Sequence, residues 1–190
     1  MSQEDNLSIV TIGSAYSHDF ILTVDSVLAN KIKYHKWIFV VFNEDEIINI
    51  KNILSSRNFS YNIPKIFCDK KGISSAMNTA LNYLINIETF IWFLHAGDQA
   101  IGDLKNIVLD TKIYDFHFFP VVNSFEGQLT KKKIKYTPKD WQNIILYKPC
   151  INHQGVFTNS RLFRKFGLFS LSFTSIMDFE WFYRLAKSEI

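Results

Sequence analysis

Apolar and polar positions along this chain fall into blocks whose period switches between strand-like and helix-like. LSIVTI at 7–12 is an almost unbroken apolar run closed by the polar turn GSAYSHD. It predicts a strand covered on both faces. Over 19–30, Phe20, Val24, Val27 and Leu28 recur on one helical face. A second strand follows at 37–42, then a helix over 45–56 with Ile47, Ile50 and Leu54 in step, then a third strand at 63–67. Met77, Ala80, Leu81, Leu84 and Ile85 fall at i, i+3, i+4, i+7 and i+8, the pattern of an amphipathic helix. Ser74 or Ser75 is placed to accept its first free backbone N–H groups, and Gly72 permits a tight approach before it. TFIWFL at 89–94 lacks polar alternation, as expected of a doubly covered strand, and the polar group His95 to Asp98 follows at once. This strand–helix order predicts an α/β fold with a mainly parallel sheet and helices on both faces.

Beyond Asp98 the pattern loosens. A short helix over 104–109 and a strand over 114–122 are expected. Gly127 and the run Lys131-Lys132-Lys133 mark 125–136 as a hairpin or mobile loop. A helix at 161–166 stops at Gly167, and a last helix runs from about 178 to the end.

With 190 residues the chain can bury one sizeable core, so a single domain over 1–190 is expected. Hydrophobic content of 47% against 21% charged residues excludes a disordered chain, and 18 Phe supply much of the core. A formal charge of +3 is too slight to argue for nucleic acid, though it suits an anionic small substrate or an anionic membrane nearby. Cys68 and Cys150 form neither a disulfide framework nor a metal cluster and read as reduced thiols. The start MSQEDNLSIV lacks a signal-sequence pattern, and no apolar run approaches the ~20 residues that span a bilayer. A soluble, cytoplasmic chain is expected.

Two blocks carry a resemblance. DKKGISSAMNTAL (69–81), followed by FIWFLHAGD (90–98), resembles the central signature of family 2 glycosyltransferases, especially those that build bacterial surface polysaccharides. PCINHQGVFTNSRLFRKFGLFSLSFTSIMDFEWFYRLAK (149–187) is similar to the same family's HQ segment and later acidic pair. With the N-terminal SIVTIGS strand, the resemblance covers most of the chain. It implies a GT-A-like, Rossmann-type three-layer fold. The implied enzyme is an inverting, metal-dependent hexosyltransferase that moves a sugar from a nucleotide-diphosphate sugar, uridine first, to a hydroxyl of a glycan or lipid-linked acceptor. Family members usually continue for several dozen residues more, which implies a chain shortened at its C-terminus.

Residue by residue, the resemblance makes Asp98 the ligand of Mg²⁺ or Mn²⁺, with His95 beside it, in a DxD-type motif reduced to its last carboxylate. A metal on one or two carboxylates neutralises the leaving diphosphate. It makes Asp178 the base that takes the acceptor hydroxyl's proton, a task suited to a carboxylate within hydrogen-bond reach; a helix cap is the plainer reading of Asp178. Thr11, Gly13, Asp69, Gly72 and Asn78 are expected around the nucleotide-sugar. His153, Gln154 and Glu180 are expected at the acceptor or donor cleft. The second strand ends in Asn43-Glu44-Asp45, where relatives carry an acid followed by small residues, so uracil selection is not written there. Lys131, Lys132, Lys133 and Lys135 are a solvated face, or alternatively attract an acceptor diphosphate or anionic lipid at the inner face of the membrane. Trp141 and Trp181 are expected in the core.

Two further classes bear on the reading. A nucleotidyltransferase would need a Gly-rich, basic loop after the first strand, which GSAYSHD lacks. A catalytically silent nucleotide-sugar-binding or assembly module is compatible with the reduced metal motif.

Overall fold

The computed structural model describes residues 6–57, 64–104, 107, 109–125, 128–129, 135 and 137–188. β1 (Leu7–Ile12), α1 (His18–Ala29), β2 (Lys36–Val41), α2 (Glu46–Ser55), β3 (Lys65–Cys68), α3 (Ile73–Leu84) and β4 (Phe90–Phe93) follow one another as the sequence pattern predicts. β5 (Phe116–Phe118), the small hairpin β6 (Ser124–Phe125) and β7 (Gln128–Leu129), α4 (Trp141–Ile144), β8 (Val156–Asn159), α5 (Ser160–Phe166) and α6 (Met177–Lys187) complete the order.

Six strands form one sheet in the order β3-β2-β1-β4-β8-β5. β3, β2, β1 and β4 are parallel neighbours, whereas β8 runs antiparallel to both β4 and β5. The two-residue period of a strand separates the faces. On β2, Ile38 and Val40 pack with Met77, Leu81, Phe163 and Trp181 beneath α3, α5 and α6. Trp37, Phe39 and Val41 pack on the other side with Phe20, Val24, Ile50 and Leu54 of α1 and α2. The result is a three-layer α/β fold with a mainly parallel sheet. Trp141 and Trp181 are core residues, as expected.

Several local expectations are corrected. β3 starts at Lys65; residue 63 lies outside the described residues. The strand expected over 114–122 is confined to 116–118, because Pro120 has no N–H to continue the ladder. Of the helix expected over 104–109, the described residues 104, 107 and 109 are not helical. Lys131, Lys132, Lys133 and Gly127 lie outside the described residues, and Lys135 bridges to Val121 through its backbone. Neither Ser74 nor Ser75 caps α3. Gly72, at φ +106°, takes the cap position, while Ser74 donates to the carbonyl of Phe173 and Ser75 to Asp69. Among the described residues, no helix is long and apolar enough to cross a membrane.

Candidate functional site

The chain runs outward from β1 to β2 and β3, then crosses back to place β4 on the other side of β1. The carboxyl ends of β1 and β4 are therefore the topological switch point, where ligands of open α/β sheets bind. Gly13 follows β1 and Ala96 follows β4, and the two loops touch. A Cβ on Gly13, whose φ is +153°, would lie 2.4 Å from the Ala96 Cβ. The N–H of Ala96 donates to the carbonyl of Ile12 at 2.9 Å, and the N–H of Gly13 to that of Val40 at 3.3 Å.

Thr23 of α1, with no exposed surface, fixes the turn that follows. Its Oγ1 lies 2.7 Å from the Asp98 carbonyl, 3.2 Å from the His95 carbonyl and 2.9 Å from the Gly97 N–H, which donates to it. Within the turn, the Asp98 carboxylate accepts the His95 N–H at 3.1 Å. Burial raises the Asp98 carboxyl above its ordinary value, with that hydrogen bond and the charge of His153 opposing. Thr23 was hidden from sequence reasoning because it sits on the apolar face of α1 and looks like core.

β8 runs antiparallel to β4, so the 3-10 turn His153–Gly155 before it lies beside the end of β4. The His95 and His153 rings meet edge to face, 5.2 Å between centroids. His153 Nδ1 is 2.7 Å from Asp178 Oδ2 in the first turn of α6, while its Nε2 is buried without a partner. Burial works against ionisation of Asp178. The hydrogen bond and charge of His153, with the N–H groups of Phe179 and Asp178, outweigh it and hold the carboxyl below its usual range. Set deep at the end of β4, although its surface is only partly covered, His95 is pushed down to about 3 by burial first and by His153 second, against Asp178. Asp98, His95, His153 and Asp178 thus gather at the switch point from three separate parts of the chain.

The other expected residues are committed elsewhere. Thr11 is fully buried, and its hydroxyl accepts the indole N–H of Trp37 at 3.0 Å, so its side chain faces the core. Asp69 follows β3 at the same edge, but its carboxylate accepts from Ser75, Thr79 and the Lys71 N–H at 2.8, 2.7 and 2.9 Å. These bonds outweigh burial and lower its carboxyl. Asn78 spends its amide on the carbonyl and N–H of Phe169. Glu180 forms a bidentate pair with Arg184, which also holds the carbonyls of Phe166 and Leu168. Gln154 contributes its carbonyl to the Trp92 indole at 2.7 Å. A buried acid, Glu46, opens α2 just after the loop that follows β2. Fully buried, it accepts from the N–H of Ala15 and from both nitrogens of Asn43, tying the loops after β1 and β2 together. Glu46 was not singled out in the sequence, where only Asn43-Glu44-Asp45 was weighed.

No protein-family model and no curated protein matches this chain. Among solved structures it is similar to the mannosyltransferase PcManGT from Pyrobaculum calidifontis, in complex with GDP-Man and Mn²⁺, with a TM-score of 0.55 at 13% sequence identity. The chain shares the α/β fold of that glycosyltransferase over the matched part. The match covers 87% of this chain and 48% of that enzyme, so the chain spans about half its length. For a divalent metal of the kind that neighbour holds, the donor set here fits one arrangement. Among the described residues no group of three or more His, Cys, Asp or Glu side chains is arranged to hold a metal ion between them, so a protein-built cage does not fit. A single carboxylate, Asp98, does fit an ion shared with substrate phosphates and water.

Proposed function

We propose that this chain carries the donor-binding and catalytic centre of an inverting, metal-dependent glycosyltransferase. Its donor is a nucleotide-diphosphate sugar, uridine diphosphate first, and its acceptor a glycan or lipid-linked hydroxyl in bacterial surface-polysaccharide synthesis on the cytoplasmic side. The observation that carries the reading is the convergence of Asp98 and the His153–Asp178 pair at the switch point.

Asp98 would hold the metal. Held there, a divalent ion would supply positive charge to offset that of the departing diphosphate. Asp178 accepts the proton as the acceptor oxygen bonds to the anomeric carbon and the carbon–oxygen bond to the diphosphate breaks, inverting that centre. His153 holds Oδ2 of Asp178 and, with the N–H groups of Phe179 and Asp178, keeps the carboxylate ionised. The turn fixed by Thr23 keeps Asp98 in place between β4 and α1. A guanosine donor is the second to test, since the structural neighbour holds GDP-Man.

One observation favours a silent assembly module instead: Thr11, Asp69 and Asn78, expected around the donor, already spend their side chains within the protein. Asp178→Asn separates the readings. It should leave donor binding unchanged and slow transfer by ~10²–10⁴-fold, the usual contribution of a positioned base. Transfer at the parental rate would remove Asp178 from that role, and a parent chain without donor binding or turnover would favour the assembly module.

A further inference from the structure

The loop between α5 and α6 lies along α3. Asn78 holds both the N–H and the carbonyl of Phe169, at 3.0 and 2.8 Å, and Ser74 holds the carbonyl of Phe173 at 2.8 Å. The loop therefore runs toward the start of α3, beside Ile73, before it enters α6 at Met177 and Asp178. Along it, large apolar side chains face water: Leu171 is 65% exposed, Ile176 48%, Ile73 45% and Phe173 37%. No Asp or Glu occurs between Gly167 and Asp178. The turn just before Ile73 adds two exposed cations, Lys70 and Lys71, whereas Asp69 is turned inward to Ser75 and Thr79. Four neighbouring apolar side chains with two lysines and no acid in the loop are not an ordinary solvated surface.

We propose that this strip is a peripheral contact with an anionic lipid bilayer. The apolar side chains enter the boundary between headgroups and acyl chains, and Lys70 and Lys71 meet lipid phosphates. A second copy of the chain fits less well. Four side chains fall far short of the roughly 20–30 residues a side of a stable interface, and a symmetric contact brings like charges together. The strip ends at Ile176, two residues from Asp178. The contact therefore holds the mouth of the crevice at the lipid surface, where a lipid-linked acceptor presents its hydroxyl; this consequence rests on the reading of Asp178 above.

Co-sedimentation with phosphatidylcholine vesicles, with and without phosphatidylglycerol, tests the contact. Binding should require the anionic lipid and weaken with salt. Each lysine near such a surface is worth about a fivefold gain in partition, so Lys70→Gln with Lys71→Gln should lose about thirtyfold. Leu171→Ser should lose roughly tenfold from removed apolar burial. No binding to anionic vesicles at low salt, or binding untouched by either variant, overturns the proposal. So does a dimer in solution that Leu171→Ser converts to monomer without altering vesicle binding. Nucleotide binding measured on the same samples keeps the two claims apart: intact nucleotide binding with no vesicle binding sinks the lipid contact alone.

Discussion

Replacing Gly13 by Ala puts the contact between the ends of β1 and β4 under direct test. The new Cβ would lie 2.4 Å from the Ala96 Cβ, against the ~3.5–4.0 Å of an ordinary carbon–carbon contact. The loops must part by about an ångström. Neither can do so freely, because the Gly13 N–H is bound to Val40 and the Ala96 N–H to Ile12. Overpacking of this kind costs about 1–3 kcal/mol, and a side chain at φ +153° adds strain of its own. Urea denaturation followed by tryptophan fluorescence should show a lower midpoint with an unchanged slope. Because the collision is between two Cβ atoms, Ala96→Gly on the Gly13→Ala background should return most of the loss. A coupling of about 1–2 kcal/mol is expected in the double-mutant cycle. A Gly13→Ala chain as stable as the parent, or additive single substitutions, would refute the close approach of the two loops.

Thr23→Val keeps the shape of a fully buried side chain but strips the Asp98 carbonyl and Gly97 N–H of a partner, so it should cost about 1–3 kcal/mol and weaken metal-dependent nucleotide binding; unchanged stability and binding would count against the clamp. The lowered carboxyl of Asp178 predicts a pH dependence of stability. The unfolded chain binds the proton more readily, so the contribution is complete above the ordinary carboxylate value of about 4 and disappears as pH falls below it. Denaturation midpoints between about pH 6 and pH 3 should therefore fall more steeply for the parent than for Asp178→Asn, and parallel curves would contradict the pairing with His153.

The parallel half of the fold was legible because β1, β2 and β4 are apolar runs and α1, α2 and α3 keep a helical period. β8 escaped notice although all four of its residues are buried. It is short, and half of it is polar: Asn159 spends its amide on the carbonyls of Thr111 and Tyr114 and caps α5. Without β8 the sequence could not show that His153 lies against His95, since that contact depends on an antiparallel strand folding back beside β4. Asp98 and Asp178 were singled out by the motif resemblance, and the structure brings both to the end of β4 beside His153. The commitments of Thr11 and Asn78 were not legible, because bonds to the Trp37 indole and to the backbone of Phe169 reach far along the chain and leave no local pattern; those of Asp69 and Glu180 lie within ten residues, on Ser75, Thr79 and Arg184. Glu46 shows the same limit. Nothing in its heptapeptide distinguishes a carboxylate that folds back under two loops from one that faces water.

The central claim is a donor site built on Asp98, and calorimetric titration of uridine diphosphate with and without Mn²⁺ tests it most directly, using the parent chain and Asp98→Ala. The account predicts metal-dependent binding by the parent that Asp98→Ala abolishes while the fold, followed by circular dichroism, is retained. Equal binding by both chains, or binding indifferent to the metal, would contradict it.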